Sequence, residues 1–221
     1  MKKLSWMLSL AALVVFTASW AMAENNTLTD QEKAEGFSLV FNGQDIDGWR
    51  GDVAGYKVEN GEIICKPGGN LYFPKDYSNF VLRFEFNVPP DGNNGLGIRC
   101  VKGEDAAYHG MELQILDDYA DCYKDLKPYQ YCTSIYGVVP AKRGILKKAG
   151  EWNTEEVIAD GSHIKVILNG QVTVDADIKD IKETIDGREH PGLHNESGAI
   201  GFLGHGYQVR FRNIRIKTLE K

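Results

Sequence analysis

The sequence predicts an all-β fold, a sandwich or jelly roll of two antiparallel sheets. Short runs of alternating apolar and polar residues recur along most of the chain, Asn-Gly pairs separate several of them, and helical periodicity is scarce. Residues 25–35 are polar and suit a short helical or loose lead-in. The run 37–41 ends at Asn42-Gly43, and 56–59 meets Asn60-Gly61 before 62–65. Asn-Gly between alternating runs signals a two-residue hairpin, because both residues tolerate the positive φ that the turn needs. Residues 80–88 form a long strand with Arg83 and Glu85 opposite Phe84 and Phe86, and 89–95 turn the chain into 96–100. Then come 110–118, 156–158, and 163–168 joined through Asn169-Gly170 to 171–175. Residues 178–185 suit one short helical turn, and 198–203 and 209–216 close the series.

Residues 1–23 read as a signal peptide. Lys2 and Lys3 precede an apolar stretch at 8–16 that is short for a bilayer span, and Ala21-Met22-Ala23 gives a small-x-small cleavage pattern. The competing reading is an uncleaved N-terminal anchor. No cysteine follows the cleavage site, so the usual lipid-anchored start is not expected, and the predicted location is periplasmic or secreted. A lead-in segment at 24–36 and a single β-sandwich domain at 37–221 account for the rest, with no internal repeat. The net charge of −6 comes without a basic patch, which argues against a nucleic-acid partner. No later segment is apolar enough to cross a membrane, and nothing in the sequence specifies an oligomer.

Cys65, Cys100, Cys122 and Cys132 can pair in an oxidising compartment in three ways. Cys122 and Cys132 share one loop-like stretch and are the best candidates for a short disulfide, with Cys65 and Cys100 as buried free thiols. Zinc ligation is the alternative, although the usual Cys-x2-Cys spacing is missing.

The chemistry concentrates on 110–118. On a strand, Glu112 and Gln114 share one face while Leu113 and Ile115 share the other, and Asp117 stands at the end. A carboxylate and an amide on one sheet face suit a reaction or sugar-binding surface; the alternative is an ordinary solvent-facing strand. The spacing Glu-x-Gln-x-x-Asp is similar to the Glu-x-Asp-x-x-Glu strand of laminarinase-like β-glucanases, where two carboxylates flank the scissile bond. Here an amide replaces the central carboxylate and the last arm is shorter, which weakens ordinary glycoside hydrolysis. Arg99, on the expected neighbouring strand and the same face as Gly97, suits bidentate contact with oxygen or a simple pairing with Glu112. His205, between Gly204 and Gly206, has an ordinary pKa of about 6.5 that suits proton transfer; a hairpin-capping role is the alternative. His109 is a weaker candidate, His190 and His194 are expected in solvent, and His163 half exposed. Trp49 and Trp152 are sugar-stacking platforms or core residues. Tyr136 belongs to the wall of the same cleft, and Lys142, Arg143 and Lys147 either line it or solubilise a loop. Two long connections, 117–136 and 176–197, interrupt the strands, and loops of that length tend to be functional. The first, rich in tyrosine, is expected to be an ordered site wall.

Five segments occur in order: Phe41-Asn42-Gly43-Gln44-Asp45-Ile46-Asp47-Gly48-Trp49, the 112–118 strand, Tyr136-Gly137, Gly150-Glu151-Trp152-Asn153 and Phe211-Arg212-Asn213-Ile214-Arg215-Ile216. Together they resemble the 3-keto-disaccharide hydrolase domain family across nearly all of the mature chain. The resemblance implies a concanavalin-like β-sandwich acting on small 3-keto-glycosides or disaccharides. Lys147-Lys148 stands where many members have Lys-Pro, and Cys132 is unusual, which favours a local disulfide with Cys122. A C3 ketone acidifies the C2 proton, so a base can form an enolate that expels the C1 substituent, after which water adds. In that scheme His205 or Glu112 is the base, Arg99 and Gln114 stabilise the C3 oxygen, and Asp117 is a positioning group or acid. No cofactor is required, although a divalent metal held by Glu112 and His205 can share the oxyanion stabilisation. The rival readings are a non-catalytic carbohydrate-binding module and a conventional β-glucanase.

Overall fold

The structure, a computed structural model, describes residues 25–220. The expected signal peptide lies outside the described residues. A five-residue helix, α1 (Asp30–Ala34), opens the described chain under a capping box in which Thr29 and Glu32 satisfy each other's backbone amides. Strands follow as β1 (Ser38–Leu39), β2 (Arg50–Gly51), β3 (Tyr56–Glu59), β4 (Glu62–Cys65), β5 (Asn70–Tyr77), β6 (Phe80–Asn87) and β7 (Asn93–Cys100). Then come β8 (Met111–Leu116), β9 (Trp152–Asp160), β10 (His163–Leu168), β11 (Gln171–Asp177), β12 (Gly198–Leu203) and β13 (Arg210–Thr218). The larger sheet has the order β11-β10-β9-β6-β13-β4-β3 with β1 paired to β13, and the smaller has the order β2-β5-β12-β7-β8. All pairings are antiparallel, giving the expected all-β sandwich of two sheets.

Period-two burial accounts for the stacking. On β6, Phe80, Leu82, Phe84 and Phe86 are buried while Val81, Arg83, Glu85 and Asn87 alternate outward. Arg83 pairs there with Glu156 on β9 at 2.5 Å, and Arg212 on β13 with Glu85 at 2.8 Å. Between the sheets, the Phe202 ring of β12 stacks on Phe211 of β13 with centroids 3.6 Å apart and planes 11° from parallel. Trp49 joins this cluster, 5.0 Å from Phe73 and 6.4 Å from Phe202. It is a core residue and not a substrate platform.

Asn60 and Gly61 adopt φ of 53° and 75° between β3 and β4, and Asn169 and Gly170 adopt 50° and 79° between β10 and β11, the two expected hairpin turns. Asn42-Gly43 makes no hairpin: the Asn42 side-chain oxygen instead accepts from the N–H groups of Gln44 and Asp45. The turn expected in 178–185 is a 3-10 helix at Ile178–Asp180. All four cysteines are free. The expected Cys122–Cys132 bridge is absent because Cys132 turns into the core, with its N–H donated to Asp118 (2.8 Å), while exposed Cys122 faces Asp91. Cys65 and Cys100 are buried thiols, as expected.

Glu155 breaks the apolar rule of the core. It lies on the inward face of β9, 2% exposed, and neither carboxyl oxygen has a hydrogen-bond partner among the described residues. Burial pushes its carboxyl up to about 8. The folded chain therefore keeps a proton that an ordinary glutamate, at about 4.3, releases. Stability is fully present below the lower value and falls as pH rises between the two. Replacing Glu155 by Met is expected to stabilise the fold by about 1–3 kcal/mol at pH 8 and to flatten this slope, measured by urea unfolding at pH 5 and 8. An unchanged slope would mean that Glu155 does not hold the proton.

Candidate active site

Strand β8 ends the smaller sheet and presents two unlike faces. Met111, Leu113 and Ile115 enter the core, while Glu112, Gln114 and Leu116 face the other way into a cavity of about 310 Å³. In the register with β7, Glu112 lies opposite Gly97 and Gln114 opposite Gly95. These glycines leave the floor without side chains. A Cβ at Gly95 would stand 2.2 Å from Oε1 of Glu112, so the carboxylate occupies space that any other residue would fill.

The free edge of β8 pairs with the tyrosine-rich loop instead of another strand. Gln114 N–H donates to Ser134 O (3.0 Å), Thr133 N–H to Gln114 O (2.7 Å) and Tyr136 N–H to Glu112 O (2.9 Å). These bonds hold Tyr123, Gln130 and Tyr136 against the cavity, where Gln130 donates to the Tyr136 hydroxyl at 3.1 Å. The expected ordered wall is therefore real, and Tyr136 belongs to it.

Glu112 is 6% exposed, and its Oε1 has no hydrogen-bond partner among the described residues. The nearest cation is His205, whose Nε2 lies 3.9 Å away as an ion pair longer than a formed hydrogen bond. Contact with Glu112 raises the His205 pKa above its ordinary value; partial burial opposes this, and the Asp105 carboxylate adds to it. The side-chain oxygen of Gln114 accepts the Ile115 N–H at 3.1 Å, which leaves its amide nitrogen to donate. Asn93 contributes another buried oxygen without a partner to the same cavity. A carboxylate, a protonatable imidazole, an amide donor and bare acceptors can bind hydroxyls and move protons.

Several expected site residues lie elsewhere. Asp117 does not line the cavity; its carboxylate accepts from the N–H groups of Asp91 (3.1 Å) and Tyr119 (3.2 Å), tying two loops together. Arg99 sits where the β12 pairing shifts register, with φ of 51°, and this left-handed residue turns its side chain off the strand face. Its guanidinium donates to Ser78 O, Asn195 O and Asn79 Oδ1, in a separate depression. Trp152 begins β9 on the larger sheet under Arg212, 3.9 Å from its ring, and exposed Lys147 donates to Trp152 O. His190, expected in solvent, is buried with Asp186 (3.1 Å). Asp105, Tyr108 and Arg188 line the cavity and were not singled out from the sequence. Arg188 lies in the second long connection, whose length was the available signal. Among the described residues no group of three or more His, Cys, Asp or Glu side chains is placed to hold a metal ion.

The polar, tyrosine-walled cavity opens on the smaller sheet of a β-sandwich, a fold that serves many functions. The chain belongs to the family of 3-keto-alpha-glucoside-1,2-lyase-like domains, whose profile matches residues 36–217. A 3-keto-disaccharide hydrolase of Bacteroides thetaiotaomicron is 25% identical over 94% of this chain and 87% of its own length. Two crystal structures from Parabacteroides distasonis, provisionally assigned as glycosyl hydrolases, are each 26% identical to the chain. One has a TM-score of 0.77, covering 89% of this chain and all of its own. The other scores 0.75, covering 83% and 99%. No helix among the described residues is long and apolar enough to cross a membrane.

Replacing Glu112 by Gln removes the charge beside His205, so the His205 pKa is expected to fall toward about 6.5. An NMR titration of the imidazole checks this; an unmoved value would remove Glu112 as the source of the shift.

Proposed function

We propose that the protein is an exported enzyme that cleaves 3-keto-glycosides, with Glu112 as base and His205 as acid. The observation that carries this reading is the buried Glu112 carboxylate that lines the cavity, with one oxygen unpartnered among the described residues and an imidazole 3.9 Å away. Family membership and the similarity to a 3-keto-disaccharide hydrolase support the substrate class.

The ketone at C3 makes the C2 proton acidic enough for a carboxylate to remove. The enclosed Glu112 carboxylate lines the cavity, and no second carboxylate is needed for that step. A donor must meet the negative charge that moves to the C3 oxygen, and the Gln114 amide suits this role. As the C1 bond breaks, the leaving oxygen needs a proton. His205, held toward its charged form by Glu112, is suited to give it. Water added at C1 completes hydrolysis.

One observation keeps a two-carboxylate glycosidase in view: Asp105 lines the same cavity as Glu112. The two readings separate on substrate. The protein is incubated with a chromogenic 3-keto-glucoside and with the matching unoxidised glucoside, each with and without EDTA. Release from the keto compound alone is expected, and loss with EDTA would add a metal to the site. Glu112→Gln is expected to lower turnover by about 10²–10⁴-fold while circular dichroism shows the fold intact. Near-normal turnover in this variant, or release from the plain glucoside, would overturn the assignment.

A further inference from the structure

Arg188 stands at the cavity on the connection between β11 and β12, and its placement is built. Its Nη1 donates to the Tyr108 hydroxyl at 2.6 Å. The Tyr108 ring lies 4.8 Å from that of His190, which is held at both nitrogens: Nδ1 is 3.1 Å from Ala107 O and Nε2 is 3.1 Å from Asp186 Oδ2. The His190 side chain is 1% exposed and that of Asp186 is 5% exposed. Burial alone would raise the Asp186 pKa, but hydrogen bonds from the Arg188 N–H and from His190 outweigh it and hold the carboxyl low. Asp186 thus anchors the backbone of Arg188 while the His190–Tyr108 pair props its side chain. The anchor has no slack, because a Cβ at Gly137 would come 2.5 Å from Asp186 Oδ2 and 2.8 Å from His190 Nε2. Gly137 follows Tyr136 of the cavity wall.

A buried acid–imidazole pair is a costly way to hold a surface arginine unless its position matters. The guanidinium is charged at every working pH, and one contact to Tyr108 leaves it further N–H donors. Arg99, the arginine that the sequence offered for oxyanion contact, lies in another depression.

We propose that Arg188 is a catalytic residue that stabilises the enolate oxygen, with Tyr108, His190 and Asp186 as its positioning residues; this rests on the 3-keto-glycoside reading. In the step, the C2–H bond breaks and the proton passes to Glu112. Its electron pair becomes the C2–C3 double bond, and the carbonyl pair moves to O3 beside Arg188. That pair then re-forms the ketone, the double bond shifts to C1–C2, and the C1–O bond breaks. The leaving oxygen takes a proton from His205. Water adding at C1 returns one proton to His205, and Glu112, whose proton has meanwhile exchanged with solvent, gives one to C2.

The test compares wild type, Arg188→Ala, Arg188→Lys and Tyr108→Phe on a chromogenic 3-keto-glucoside, reading kcat and KM separately, with thermal melts to confirm folding. Arg188→Ala is expected to lose about 10²–10³-fold in kcat with KM little changed, and to recover activity when guanidinium is added. Arg188→Lys is expected to fall between it and wild type. Tyr108→Phe is expected to lower kcat, not KM. An unchanged kcat, or a rise in KM alone, would overturn the role of Arg188 while leaving the substrate reading intact. A wild-type protein inactive on the keto substrate would overturn both.

Discussion

The site depends on the register in which β8 lies on β7. Leu113 and Ile115 are fully buried between the sheets, and a slip of one residue would exchange them for Glu112 and Gln114. Exposing two such side chains costs about 1.5–3 kcal/mol each, and a carboxylate forced among Phe rings costs more. The core thus decides which face carries the chemistry. The same register sets Gly95 and Gly97 across from Gln114 and Glu112, so the carboxylate lies over bare backbone. Packing on one face and the polar lining of the cavity on the other come from a single pairing.

Charge is distributed to match. Glu112 is enclosed, and its partner is a half-exposed imidazole, not a lysine or arginine. A histidine, unlike a lysine or arginine, can take or give the proton itself near neutral pH. Arg188 is held at the rim by Tyr108 and by a buried Asp186–His190 pair, on the long connection between β11 and β12. Glu155 is a different case. It is buried in the core away from this cavity, and its raised pKa bears on stability.

Local and alternating features were legible in the sequence. The strand runs, the Asn60-Gly61 and Asn169-Gly170 turns and the shared face of Glu112 and Gln114 each follow from neighbours a few residues apart. His205 was legible through its flanking glycines. What could not be read depends on backbone departures or distant contacts. Arg99 was assigned to the site face because an extended strand was assumed, and its left-handed φ at a bulge turns it away. Asp117 has the right spacing, but its carboxylate is taken by two backbone amides from different loops. Cys122 and Cys132 share a loop, yet the hydrogen bond from Cys132 to Asp118 directs that thiol inward. Asp105 and Tyr108 come from the connection between β7 and β8 and Arg188 from that between β11 and β12, and only the closed fold brings them to one cavity.

The central claim is that bond cleavage begins with loss of the C2 proton to Glu112. The most direct measurement is cleavage of a 3-keto-glucoside deuterated at C2 in ordinary water, with the released sugar analysed by mass spectrometry at early turnover. Loss of the deuterium from the product, together with a slower reaction than for the undeuterated substrate, is the expected result. Deuterium retained at C2 with unchanged rate would contradict the account, because direct displacement at C1 leaves that bond untouched.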